Sequence, residues 1–142
     1  NFRDVVSVEL TEDRLALVVG NDVSVRDVFI YGRENSSQQY TLLQNFSSHD
    51  YLHLSMDNDL LVVSDQNRTI VLSERSDGNW EEALVLNRAL IDHEISRRNL
   101  LGTTRDSETG DEEVHYFRIA DCVQNATTQY PSLSAGPYFM SR

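Results

Sequence analysis

The feature that most constrains this chain is a repeated run of short apolar segments. Residues 59–65, 69–73 and 83–86 are brief, rich in β-branched residues and separated by polar turn residues such as Ser76, Asp77, Gly78 and Asn79. Runs of that length are strands, not helices. A looser copy precedes this stretch and a worn copy follows it.

In the first copy Val6, Val8 and Leu10 alternate with Ser7 and Glu9, a period of two that predicts a half-buried strand with the apolar side inward. Thr11, Glu12 and Asp13 supply turn chemistry. Residues 15–19 form a continuous apolar run, expected as a strand buried on both faces. A connector at 21–26 leads to a third strand at 27–31, a turn at 32–37, and a weaker fourth strand carried by Tyr40, Leu42 and Gln44.

The second copy starts near Tyr51. Leu52, Leu54 and Met56 point one way, His53 and Ser55 the other. Asp57, Asn58 and Asp59 form the turn, residues 60–63 repeat 16–19, and residues 69–73 repeat 27–31. Asp77-Gly78 predicts a two-residue hairpin, since both positions tolerate positive φ. Trp80, Glu82, Leu84 and Leu86 alternate behind it, with Trp80 matching Tyr40.

In the third copy Ile91, His93 and Ile95 alternate, residues 96–99 turn, and residues 100–104 fill the next strand, where Gly102 implies a bulge or a close backbone approach. An acidic loop spans 106–113 and a third strand 114–119.

Four strands recurring about every 40 to 45 residues are the signature of propeller blades. The predicted class is all-β: about three four-stranded propeller-type blades, a partial or assembled β-propeller, over residues 1–120 (about 5–50, 51–90 and 91–120). Residues 121–142 read as an irregular C-terminal segment. A sandwich or barrel of short strands is the competing architecture.

These residues resemble a family. Leu15 to Gly20 followed by Val28 to Tyr31, and Leu60 to Val63 followed by Asp77 to Trp80, look like FG-GAP-type blades related to the integrin α-subunit head. The resemblance covers roughly residues 5–120 and implies a non-enzymatic propeller of usually six or seven blades, often extracellular, engaged in adhesion or assembly. Two departures matter. Calcium-binding versions carry an acidic ligand loop, whereas Asp57-Asn58-Asp59 runs straight into Leu60 and reads as a plain polar turn. The second is the number of units: three blades do not close a ring. The chain is therefore expected to be a slice of a longer propeller, to combine with other copies, or to pack against another protein.

Net charge of −11 disfavours a nucleic-acid partner. No run approaches the roughly 18 apolar residues of a membrane helix. The N-terminus lacks an initiator Met, which reads as a processed or partial chain. Cys122 is a free buried thiol or half of a bridge to a missing partner. Sequons at Asn35, Asn45, Asn67 and Asn125 are candidate glycosylation sites and point to the secretory pathway or the extracellular space.

No catalytic, cofactor or metal motif is present. His49 and His53 are four apart across a turn and a strand start, too far to clasp one ion. His93 and His115 fall in strands that can become neighbours. The acidic loop with Asp106, Glu108, Asp111, Glu112 and Glu113 has the charge for a cation but no ligand spacing. The expectation is a non-catalytic module for protein–protein interaction or extracellular assembly, without cofactor. Its partners are further blades, from a parent chain or other copies, and a protein or glycan ligand. Tyr40, Trp80, Tyr138 and Phe139 are the candidate interaction residues; the aromatics at repeated blade positions, Tyr31, Tyr40, Trp80 and Tyr116, could stack sugars, but their equivalence by repeat argues for packing between sheets. A glycan-binding lectin of oligomerised blades and a piece of a propeller enzyme with its catalytic blades elsewhere are the alternatives.

Overall fold

A computed structural model describes residues 4–20, 26–34, 38–48, 53–119, 128–129 and 133–134. Strands β1 (Asp4–Leu10), β2 (Arg14–Gly20), β3 (Arg26–Gly32) and β4 (Thr41–Ser48) form one antiparallel meander. A second comprises β5 (His53–Asp57), β6 (Leu60–Ser64), β7 (Thr69–Glu74) and β8 (Trp80–Leu86). The third holds β9 (Asp92–Ser96), β10 (Asn99–Arg105) and β11 (Glu112–Arg118). Two short strands, β12 (Thr128–Gln129) and β13 (Leu133–Ser134), both pair with β11. Those two lie in the stretch that reads as irregular in the sequence, and together they occupy the position of a fourth strand.

The sheets stack in chain order. They approach most closely along β1, β5 and β9 and diverge towards the later strands, the arrangement of propeller blades around an axis. The all-β, partial-propeller expectation is what the chain adopts.

Two apolar clusters fill the gaps between sheets. Between the first and second lie Ala16, Val18, Val28 and Ile30 against Leu54, Met56, Leu61, Val63, Ile70, Leu72 and Trp80. Between the second and third lie Leu60, Val62 and Val71 against Leu90, Ile95, Leu100, Phe117 and Ile119. The second sheet is thus buried on both faces, and β6 is buried along its whole length. A strand pleat sends alternate side chains to opposite faces, so this sheet needs a near-continuous apolar sequence.

Several sequence expectations are corrected by the register. The apolar side of β1 points outward: Val8 is 55% and Leu10 64% exposed, while Ser7 and Glu9 are half-buried towards the second sheet. The Ser7 hydroxyl accepts a hydrogen bond from the Leu54 amide at 3.3 Å. Strand β2 is fully buried on one face only, with Leu15, Leu17 and Val19 half-buried on the other. Both departures have one cause, since no further sheet covers that face among the described residues.

Residues 60–63 do correspond to 16–19, but Thr69 pairs with Ser64 as Arg26 pairs with Gly20. Thr69 to Ser73 therefore match Arg26 to Ile30, one residue from the expected alignment, and a one-residue slip exchanges the two faces. Trp80 pairs with Glu74 in the place where Leu42 pairs with Tyr31, so it matches Leu42, not Tyr40.

The turn before Trp80 spans residues 75–79 and is longer than a two-residue hairpin. Gly78 alone in it takes positive φ, at 88°, and the Arg75 amide bonds the Asn79 carbonyl at 2.7 Å. Gly102 marks a close approach and no bulge: a Cβ there would lie 2.7 Å from Leu90 Cδ1. Ile91 lies outside β9 and is exposed.

Candidate interaction surface

The outer face of the first sheet is built by the ladder β1-β2-β3-β4. Opposed residues Val8 and Leu17, Leu10 and Leu15, Leu17 and Phe29, and Tyr31 and Leu42 place their side chains on one side. Each has a counterpart in the next sheets. Val8 stands opposite Leu17 as Met56 stands opposite Leu61 and Ile95 opposite Leu100. Phe29 stands opposite Leu17 as Leu72 opposite Leu61 and Phe117 opposite Leu100. The Leu10–Leu15 pair falls where those sheets place the turn residues Asn58–Asp59 and Arg97–Arg98, but the positions of Val8, Leu17 and Phe29 are buried there against the preceding sheet. In the first they form an open apolar face, with Val5, Val8, Leu10 and Leu42 more than half exposed.

At the opposite extreme are two histidines sealed between or within sheets. His93 is 1% exposed, and its Nδ1 and Nε2 lie 2.7 Å from Ser55 Oγ and 3.1 Å from Ser64 Oγ. The His53 ring meets it edge-on at 4.5 Å and places Nε2 3.2 Å from the His93 carbonyl. Burial, then the charge of a protonated His53, push the His93 pKa down to about 3, so the ring is neutral at physiological pH. His115 receives a hydrogen bond at Nδ1 from Arg88 Nη1 at 3.2 Å. That leaves Nε2 to carry the proton and donate to Thr104 Oγ1 at 2.8 Å. Burial and then Arg88 lower its pKa.

The two histidines flank Gly102 on neighbouring strands but are each held by their own partners. Ser55 and Ser64 are buried along with His93. What this arrangement does chemically is satisfy polar groups inside a sheet-to-sheet contact. His49 lies outside the described residues.

The acidic turns are committed to the protein's own groups. Asp57 Oδ2 accepts from the Arg97 amide, and Asp59 Oδ1 lies 3.8 Å from Arg98 Nη1, tying adjacent hairpins together. Asp106 Oδ1 accepts from the amides of Glu108 and Thr109, and those bonds lower its pKa. Arg105 pairs with Glu112. Among the described residues no group of three or more His, Cys, Asp or Glu side chains is placed to hold a metal ion.

Of the expected interaction residues, Trp80 is 4% exposed and belongs to the core between the first two sheets, because its ladder position faces the preceding sheet. Tyr40 is half-buried with the Arg33 guanidinium 5.3 Å from its ring centre. Tyr31 and Tyr116 are half-buried, and Tyr138 and Phe139 lie outside the described residues. Among the sequons, Asn45 and Asn67 are exposed; Asn35 and Asn125, like Cys122, lie outside the described residues. The open face of the first sheet was missed as a surface because its alternation was read as core. His93 stands out in the sequence as an alternating strand residue, whereas its partners Ser55 and Ser64 carry no local signal, one lying within a mixed strand and the other at a strand end.

No protein-family model matches the chain, and no curated protein is similar to it in sequence. Among solved structures it is similar to Sqt1 of Saccharomyces cerevisiae, a β-propeller-like fold. The TM-score is 0.71 at 12% identity, over 94% of this chain and 36% of that one. The chain therefore spans about a third of the protein it matches, and the likeness concerns the fold.

Proposed function

We propose that this chain is a non-catalytic β-propeller module that binds or assembles with other proteins. The observation carrying this reading is the open apolar face of the first sheet, where Val8 and Leu42 stand exposed at positions that the second sheet buries with Met56 and Trp80, and Leu10 extends the same face. Contiguous exposed apolar surface of this kind marks interaction sites. The non-catalytic part is supported by the histidines: the best hydrogen-bonded nucleophile-like serines, Ser55 and Ser64, are closed off from any substrate. The strand pattern supports an FG-GAP-type origin, and the exposed Asn67 sequon, away from the open face, supports a secretory or extracellular setting with a role in adhesion or assembly. Asn45 stands opposite Phe29 on the open face itself, where a glycan would compete with a protein partner.

The test is to compare binding of extracellular protein fractions to the intact chain and to a Val8→Glu/Leu10→Glu variant. Retention by the parent that the variant loses supports the module; equal retention, or none by either, contradicts it. Intact mass of protein made in a secretory host, before and after deglycosylation, tests the setting; an unmodified Asn67 would count against it.

A further inference from the structure

We propose that Asn67 accepts an N-linked glycan only before strand β7 docks on the linker between β8 and β9, because that docking encloses Thr69, the hydroxyl residue the transferase must read. The proposal rests on the secretory setting inferred above and names the moment at which the site is open.

The two ends of this sequon have opposite fates in the fold. Asn67 is exposed in the turn between β6 and β7. Asp65 Oδ1 accepts from the backbone amides of Asn67 at 2.7 Å and Arg68 at 2.8 Å, so the turn is held without use of the Asn67 side chain. A sugar on its Nδ2 therefore meets solvent and leaves the turn intact. Two residues on, Thr69 is 0% exposed. Its Oγ1 donates to the Arg88 carbonyl at 3.0 Å and accepts from the Leu90 amide at 3.0 Å. Thr69 also opens β7, paired with Ser64 on one side and Leu86 on the other. Leu90 is itself buried in the second apolar cluster, which anchors the linker over the hydroxyl.

Oligosaccharyl transfer joins Asn67 Nδ2 to C1 of the donor sugar and breaks the bond between C1 and an oxygen of a lipid pyrophosphate. The pyrophosphate leaves with the electron pair, and a base on the enzyme takes the amide proton. The enzyme selects its asparagine by binding the Ser or Thr hydroxyl two residues on, which is why the acceptor reads Asn-X-Ser/Thr. In the folded chain the Thr69 hydroxyl has given its one proton to Arg88 and lies under the linker. Reaching it means lifting the linker and unpairing the start of β7. The fold thus tolerates the glycan and excludes the enzyme, so modification scales with the population of the opened form.

The test takes the full chain, folded and free of glycan, and incubates it with purified oligosaccharyltransferase and lipid-linked oligosaccharide beside a peptide of residues 62–74. Mass spectrometry of the digested products reads occupancy at Asn67. The peptide should be modified, and the folded chain should be slower by about a hundredfold or more. Leu90→Ala removes the linker's anchor and should raise the rate at Asn67 in step with amide hydrogen exchange at residue 90. A folded chain modified as fast as the peptide overturns the proposal. So does a Leu90→Ala chain whose residue-90 amide exchanges faster with no gain in modification. A peptide that is never modified overturns it too, since Asn67 is then no acceptor. The secretory setting fails separately, on the intact mass of protein from a secretory host.

Discussion

Gln44 on β4 grips the backbone of Trp80 on β8. Its Oε1 accepts from the Trp80 amide at 2.8 Å and its Nε2 donates to the Trp80 carbonyl at 3.1 Å. One side-chain amide thus imitates a strand rung between two sheets where they have begun to diverge. Nearer the axis the same sheets are joined by Arg14, whose Nε lies 2.8 Å from Glu74 Oε1. Gln44→Ala leaves both Trp80 backbone groups without that partner and should cost about 1 to 3 kcal/mol in urea unfolding. Gln44→Glu keeps the acceptor, loses the donor, and should recover only part of the loss. Equal stability of all three proteins would show the grip to be incidental.

Gly102 and Leu90 should be coupled. A Cβ at 102 meets Leu90 Cδ1 at 2.7 Å and the Asp92 carbonyl at 3.2 Å. Gly102→Ala is therefore expected to destabilise by about 1 to 3 kcal/mol. Leu90→Ala opens a cavity in the second cluster and is destabilising alone. In the double variant the losses should be less than additive, because the larger clash is gone. Simple additivity in a double-mutant cycle contradicts the close approach.

Arg97 and Arg98 turn the chain between β9 and β10 with φ of 49° and 66°, a conformation that disfavours ordinary side chains. Arg98 reaches Asp59 through its side chain, whereas Arg97 binds Asp57 through its backbone amide. Arg97→Asn keeps that amide and suits the turn better. A gain of about 0.5 to 1 kcal/mol is expected in thermal unfolding; a loss would mean that the arginine side chain matters.

Acid should weaken the fold through His93. Its folded pKa is about 3 against an ordinary value of 6.5, so the unfolded chain binds this proton more readily. Stability contributed by the neutral ring is complete above the unfolded value and is lost progressively as pH falls from 6.5 towards 3. At pH 5 the loss is about 2 kcal/mol. Glu9 acts in the opposite sense: burial, then Glu94, raise its pKa, so its contribution favours the fold at low pH and fades as pH rises through the raised value. The check is the difference in pH dependence between the parent and His93→Gln. A slope that survives the substitution assigns acid sensitivity elsewhere.

Strand positions were legible from the sequence because apolar alternation and turn residues are local signals. Residues 60–63 even revealed the repeat correctly, since both faces of β6 are buried. What was not legible is which neighbour each face meets. The pattern Val6, Val8, Leu10 looks like core because the position of Val8 is a core position in both other sheets, filled by Met56 and Ile95. Its exposure follows from the neighbour, not from β1. Likewise Gln44 and Trp80 are 36 residues apart, and Ser55 and His93 are 38 apart. Those contacts depend on how sheets stack, which local alternation does not encode, whereas the packing role expected for Trp80 from its repeated position is the one it takes.

The three sheets stack in sequence, with the second sheet covered on both faces. Methyl nuclear Overhauser spectroscopy tests this most directly. Cross-peaks should join the Ala16, Val18, Val28 and Ile30 methyls to those of Leu61, Val63 and Leu72, and the Leu60, Val62 and Val71 methyls to Leu100 and Ile95. None should join Val18 or Val28 to Leu100. Cross-peaks between the first and third sheets, with Leu60, Val62 and Val71 lacking partners, would mean a two-layer sandwich and contradict the blade stack.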